Sequence, residues 1–103
     1  MDPIEAPKKN IEAVNRNEKF LNNAASYIEE ALIPDHLLAK SQIERIIRQC
    51  AFVENENPSL DEIIDENRVI AEVMEKFDQP VSAREVVVIL MGAAEQIKGF
   101  SAF

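Results

Sequence analysis

Three interior prolines, Pro34, Pro58 and Pro80, constrain this chain more than any other feature. Proline lacks the N–H that an interior helix or ladder position needs, and it pushes the residue before it out of helical geometry. Each lies among turn-forming residues: Ile33-Pro34-Asp35-His36, Glu54-Asn55-Glu56-Asn57-Pro58 and Asp78-Gln79-Pro80. The chain is therefore expected to fold as four segments joined by short breaks. Pro3 and Pro7 lead to the expectation of an extended leader over residues 1–7.

Helical periodicity runs through all four segments. The predicted helices span about 8–33, 35–53, 60–77 and 83–98, with a tail at 100–103. In the first, Ile11, Val14, Leu21, Ile28 and Leu32 form one stripe, and Phe20, Ala24, Tyr27 and Ala31 a second, so the helix is expected to touch neighbours on two sides. Asp35 is a candidate N-cap for the second helix, whose inward residues are Ile43, Ile46, Ile47, Cys50 and Val53. The third carries the cleanest stripe: Leu60, Ile63, Ile64, Asn67, Ile70, Met74 and Phe77. Asn67 interrupts it. Either it sits within the core, or the stripe rotates so that Val69 or Val73 takes the core position. Ser59–Glu62 and Ser82–Glu85 each have capping-box spacing, in which serine and glutamate side chains satisfy free N–H groups reciprocally. The run Val86–Met91 is compatible with strand as well as helix. The preceding cap and the continuation through Ala93, Ala94 and Ile97 favour helix, and no partner strand is evident. Gly99 fits a left-handed position closing that helix, with Phe100 as the accompanying contact. Short connections imply antiparallel neighbours, so the expected fold is all-α: a compact antiparallel bundle of about four helices in a single domain, without a convincing internal repeat.

Composition narrows the function. With 103 residues, 47% of them hydrophobic, the chain is large enough for a real core and too apolar for disorder. The longest unbroken apolar or glycine run, Val86 to Ala94, is short of the roughly 20 residues of a membrane-spanning helix. The first ten residues lack the apolar core of a secretory signal. One cysteine excludes an internal disulfide and points to a reducing, cytoplasmic setting. A net charge of −8 argues against nucleic acid and anionic membranes as partners.

Chemistry finds few candidates. His36 and Cys50 cannot make a zinc site alone, and no serine lies in a glycine elbow that His36 could serve as base. No glycine-rich phosphate loop exists, because the chain has two glycines. Glu54, Glu56 and Asp61 lack the spacing and turn glycine of a calcium loop. Neither catalysis nor a cofactor nor a metal is expected.

Charge location is more informative than its total. Residues 54–80 hold nine acidic and two basic side chains, a balance of −7. With the apolar stripe of the third helix inward, Asp61, Glu62, Asp65, Glu66, Glu72 and Glu75 are expected to face water. That face is either a solvated surface or a docking face for a basic protein partner, for which Glu62, Asp65, Glu66 and Glu72 are the candidate residues. The fourth helix is apolar nearly all round, so Val88 and Met91 are candidates for an oligomer interface, a homodimer being the simplest form. The expected function is that of a small acidic non-catalytic protein binding another protein, in a regulatory, inhibitory or chaperone-like role. The alternative is a structural homo-oligomer assembled through the fourth helix.

Overall fold

The computed structural model describes the backbone of residues 5–101 and the side chains of residues 15–97. Among these the chain forms α1 (Glu5–Ala31), β1 (Leu37–Leu38), α2 (Lys40–Glu54), α3 (Leu60–Met74), β2 (Val81–Ser82) and α4 (Ala83–Ser101). The all-α bundle expected from periodicity is the observed architecture, with one two-stranded addition.

In α1 the two expected stripes merge into one. Asn17, Phe20, Leu21, Ala24, Ala25 and Ile28 are buried at i, i+3, i+4, i+7, i+8 and i+11, the spacing of a single helix face. Tyr27 and Ala31 are exposed instead. Among the described residues the helix runs from Glu5, so Pro7 lies in its first described turn, where proline is tolerated. The expected extended leader is thus helical from Glu5 onward. The side chains of Ile11 and Val14 lie outside the described residues. The paired alanines let another backbone approach closely, and α1 packs most extensively against α4, then against α2.

Helix α2 starts five residues later than expected. Asp35 does not cap it; that side chain is exposed in a turn, 3.8 Å from Arg84. Leu37–Leu38 instead pairs antiparallel with Val81–Ser82, Leu37 opposite Ser82 and Leu38 opposite Val81. Two-residue strands are too short to leave an alternating pattern, which is why no partner strand is legible in the sequence. Ala39 takes the N-cap position of α2, and Gln42 Oε1 accepts its N–H at 2.8 Å. The carbonyls of Pro34 and His36 accept the N–H groups of Arg84 (3.1 Å) and Ala83 (2.8 Å), so the first loop caps α4.

The chain is two α-β-α halves joined by residues 55–59. Both inner loops have eight residues, 32–39 and 75–82. A shift of 43 positions (81 − 38) carries Leu38 onto Val81 and Ala39 onto Ser82, and also Gln42 onto Glu85. The same shift lays the buried Ile43, Ile47 and Ala51 of α2 onto the buried Val86, Leu90 and Ala94 of α4. The caps of α2 and α4, Ala39 with Gln42 and Ser82 with Glu85, are therefore equivalent positions in a two-fold arrangement, whereas the Ser59 box begins α3 and has no part in this correspondence.

Helix α3 is closed by the full Ser59 box: Glu62 N–H donates to Ser59 Oγ at 3.2 Å, and Ser59 N–H to Glu62 Oε1 at 3.0 Å. The Ser82 box is half made, with Glu85 N–H donating to Ser82 Oγ at 3.3 Å. Gly99 does not end α4, which continues to Ser101; the side chain of Phe100 and the structure of Phe103 lie outside the described residues. Gly92 lies on the exposed side of α4 with no positive φ, and a Cβ added there meets nothing within 4 Å. Gly92→Ala is expected to stabilise the fold by about 0.5–1 kcal/mol through lower chain entropy, read as a higher urea midpoint.

Candidate functional site

The rotation of α3 decides what this protein presents to a partner. Val69, Ile70, Val73 and Met74 are buried, which fixes the C-terminal half of the helix against the core. Following the same side backwards at 3.6 residues per turn leads to Glu66, Asp65 and Glu62, not to the leucine and isoleucines. The carboxylates therefore turn toward α1, and the apolar stripe of the first two turns turns outward.

Polar residues on α1 receive them. Arg16 Nη1 lies 3.0 Å from Glu62 Oε2, and Arg16 Nε lies 3.5 Å from Glu66 Oε1. Asn17 Nδ2 donates to Asp65 Oδ2 at 2.9 Å, and Asn55 Nδ2 donates to Glu62 Oε2 at 2.9 Å. The Arg16 and Glu66 side chains are 17% and 12% exposed. Arg16 Nε, Glu66 Oε1 and Asn17 Oδ1 are buried without a hydrogen-bond partner.

The carboxyl groups respond differently to this setting. Hydrogen bonds from Ser59, first its backbone N–H and then its hydroxyl, hold Glu62 below its ordinary pKa. For Asp65 burial pulls upward, but hydrogen bonds from Asn17 and Arg68 and the charges of Arg68 and Arg16 outweigh it, and the pKa is lowered. For Glu66 burial prevails over Arg16, and its pKa is raised.

Of the four acidic residues expected at a docking face, three are thus occupied within the fold. Glu62, Asp65 and Glu66 do not form an open acidic face; Glu72 alone of the four is exposed, along with Asp61 and Glu75. Asn67 lies at the edge of the core, where its Oδ1 accepts from Arg48 Nη1 at 2.8 Å, while Val69 and Val73 take the core positions.

The outward stripe is Leu60 (72% exposed), Ile63, Ile64 (58%), Asn67 and Ala71. Across from it, the end of α2 exposes Phe52 (63%) and Val53, the latter expected inward. Between the helices runs an open depression of about 180 Å³ lined by Phe52, Pro58 and Ile63 and by the polar Arg48, Asn55, Glu66 and Asn67, with Ala51 and Ile70 beneath. The usable signal for this surface is the polar character of α1 around Arg16 and Asn17, which offers no apolar partner to the start of α3.

Val88 and Met91 are both exposed on α4. Val88 borders a shallow depression of about 260 Å³ with Leu32, Pro34 and Val87. His36 is exposed, and its role is the backbone carbonyl that caps α4. Cys50 is half-buried, and burial, then the charge of Glu54, raises its thiol pKa, which disfavours the reactive thiolate.

Among the described residues no group of three His, Cys, Asp or Glu side chains could hold a metal ion. Neither eight-residue loop carries the alternating oxygen ligands and turn glycine of a calcium loop: 32–39 has the single carboxylate Asp35, and 75–82 has Glu75 and Asp78. No described helix is long and apolar enough to cross a membrane. Comparison with protein-family models, with curated proteins and with solved structures returns no match.

Proposed function

We propose that this chain acts without catalysis by binding another protein, and that it does so through the α2–α3 surface. One observation carries the reading. Among the described residues, five of the ten exposed large hydrophobic side chains, Phe52, Val53, Leu60, Ile63 and Ile64, lie on the last turn of α2 or the first turns of α3, on either side of the 55–59 connection. Concentrated exposed apolar surface of this kind is characteristic of interaction sites, whereas scattered apolar residues need no explanation. The Arg16 clasp supports the same reading, since ion pairs and hydrogen bonds hold the carboxylate side of α3 inward and leave its apolar side in water.

A second reading rests on Val88 and Met91, whose exposure on α4 suits a homo-oligomer. It ranks below the first because it offers two large apolar residues instead of five.

Photo-crosslinking tests the choice. A benzophenone side chain placed at Ile64, at Val88 or at the exposed Glu30 is irradiated in lysate of the native cell. The expected result is one discrete adduct from Ile64, displaced by unlabelled wild-type chain but not by Leu60→Asp. Equal labelling from all three positions, or none from Ile64, removes the proposal. An adduct from Val88 with the mass of two chains selects the oligomer.

A further inference from the structure

The α2–α3 surface also specifies the kind of partner that fits it, an inference that rests on the protein-binding reading above. Its form is a groove between two helices, with a ridge running from Leu60 to Ala71. At 1.5 Å per residue that ridge is roughly 18 Å long, matching about three turns of a docked helix. An extended peptide has no comparable seat. Strand addition needs a free sheet edge, and the two strands here have two residues each.

Charge around the groove selects among helices. Glu56, Asp61, Glu72 and Glu75 are exposed and make no ion pair among the described residues. Of the nearby cations, Arg68 pairs with Asp65 at 2.8 Å and Arg48 with Glu44 at 3.2 Å, while the exposed Arg45 on α2 and Lys76 after α3 make no ion pair among the described residues and leave α3 with a carboxylate excess. The outer rim along α3 is therefore acidic. A second copy of the chain is a poor occupant, because a two-fold contact through α3 brings these same carboxylates toward each other in a molecule of net charge −8.

We propose that the occupant is a basic amphipathic α-helix of a partner protein. Its apolar stripe lies over Phe52, Ile63 and Ile64, and its lysine or arginine edge faces Asp61 at the start of α3, Glu72 lying on the side of α3 toward α4. This is helix-in-groove recognition, in which spaced apolar anchors give affinity and flanking charges fix orientation.

The experiment titrates the full chain, ¹⁵N-labelled, with three synthetic peptides of about 14 residues, roughly four helical turns. One is a leucine/lysine amphipathic helix, one its leucine/glutamate counterpart, and one a scrambled leucine/lysine peptide with no apolar face. The leucine/lysine helix is expected to bind at least about tenfold more tightly than either control, with amide shifts centred on Phe52, Leu60, Ile63 and Ile64. Ile64→Asp should weaken that binding about tenfold or more. Asp61→Lys should weaken it several-fold and flatten its salt dependence, while Val88→Asp changes nothing. These positions are exposed, so each variant is expected to keep the wild-type melting temperature, which serves as the folding control.

Equal binding of the scrambled or the leucine/glutamate peptide overturns the proposal, as do shifts that map to α4. A dimer in light scattering that Ile64→Asp dissolves assigns the surface to a second copy and overturns it too. If Ile64 crosslinks to a partner while the peptides show no preference, the helix assignment falls and the binding surface stands. If Ile64 gives no crosslink, the surface itself falls.

Discussion

Phe20→Ala is expected to destabilise the protein by about 3–5 kcal/mol, the largest effect of any single truncation considered for this chain. Phe20 is fully buried and, with Phe77, heads the fully buried side chains by size. It lies on the α1 face that packs against α4, the most extensive helix pair in the fold. Its neighbours Ala24 and Ala25 are already small and have no side chain with which to fill a void. The cavity term therefore adds to the lost burial in full. Domains of this size have a total stability of about 5–15 kcal/mol, so the loss takes a large share of it. Urea denaturation followed by circular dichroism measures the effect. A loss below about 2 kcal/mol would show that the core relaxes around the gap, and that the α1–α4 seam is looser than its burial implies.

Arg16→Met is expected to cost about 2 kcal/mol near neutral pH. Exposed ion pairs contribute about 0.2–1 kcal/mol, whereas removing one partner of a fully buried pair costs about 3–5. Arg16 and Glu66 are 17% and 12% exposed and Glu62 is 35% exposed, so the site falls between these limits. The pH dependence gives a sharper signature. The folded pKa of Glu66 is raised, so its charged form costs stability above that pKa, and the cost disappears as pH falls through it. Glu62 and Asp65 have the opposite sign. Their lowered folded pKa values contribute stability that is present above the unfolded pKa and lost as pH falls through the folded one. In the variant Glu66 has lost its counter-charge, so the deficit relative to wild type should be greatest near neutral pH and shrink as pH falls toward the ordinary carboxylate range, above the range where Glu62 and Asp65 titrate. Adding Glu66→Met should recover most of the loss, since an apolar replacement of the pair removes the stranded charge. A deficit independent of pH would mean that Arg16 acts through packing of its aliphatic stem.

What was legible in the sequence divides along the range of the forces involved. The Ser59 box is a contact across three positions, and its residues announce it. The buried rows of α2 and α4 repeat at helical spacing and are visible as periodicity at Ile43, Ile47, Val86 and Leu90. The alternative reading of α3, with Val69 and Val73 in the core and Asn67 at its edge, is the arrangement observed. The orientation of Leu60 and Ile64 was not legible, because it depends on contacts such as Asn17 to Asp65, 48 positions apart. A stripe of apolar residues announces that some face is apolar; it does not announce that the neighbouring helix is polar there. The same limit hid the acidic cluster. A −7 segment suggests an open charged face, yet Glu62 and Glu66 are drawn inward by one arginine. The two-fold arrangement is not legible as a repeat because α1 and α3 share no matching pattern, leaving only the residues around the paired strands and the rows of α2 and α4 in correspondence.

The carbonyls of Pro34 and His36 that close the first turn of α4 also bear on how the chain reaches its native state. A helix as apolar as α4 is a strong candidate for early collapse, but its leading N–H groups find acceptors 47 (83 − 36) and 50 (84 − 34) positions up the chain. Those acceptors are in place only when the first loop has turned and β1 has met β2, so α4 acquires its start from the other half of the molecule. Loop closure over that span must precede the reward, which couples the two halves kinetically as well as spatially. Neither half then holds a complete set of backbone partners alone, and folding is expected to proceed as one concerted transition rather than as two successive ones.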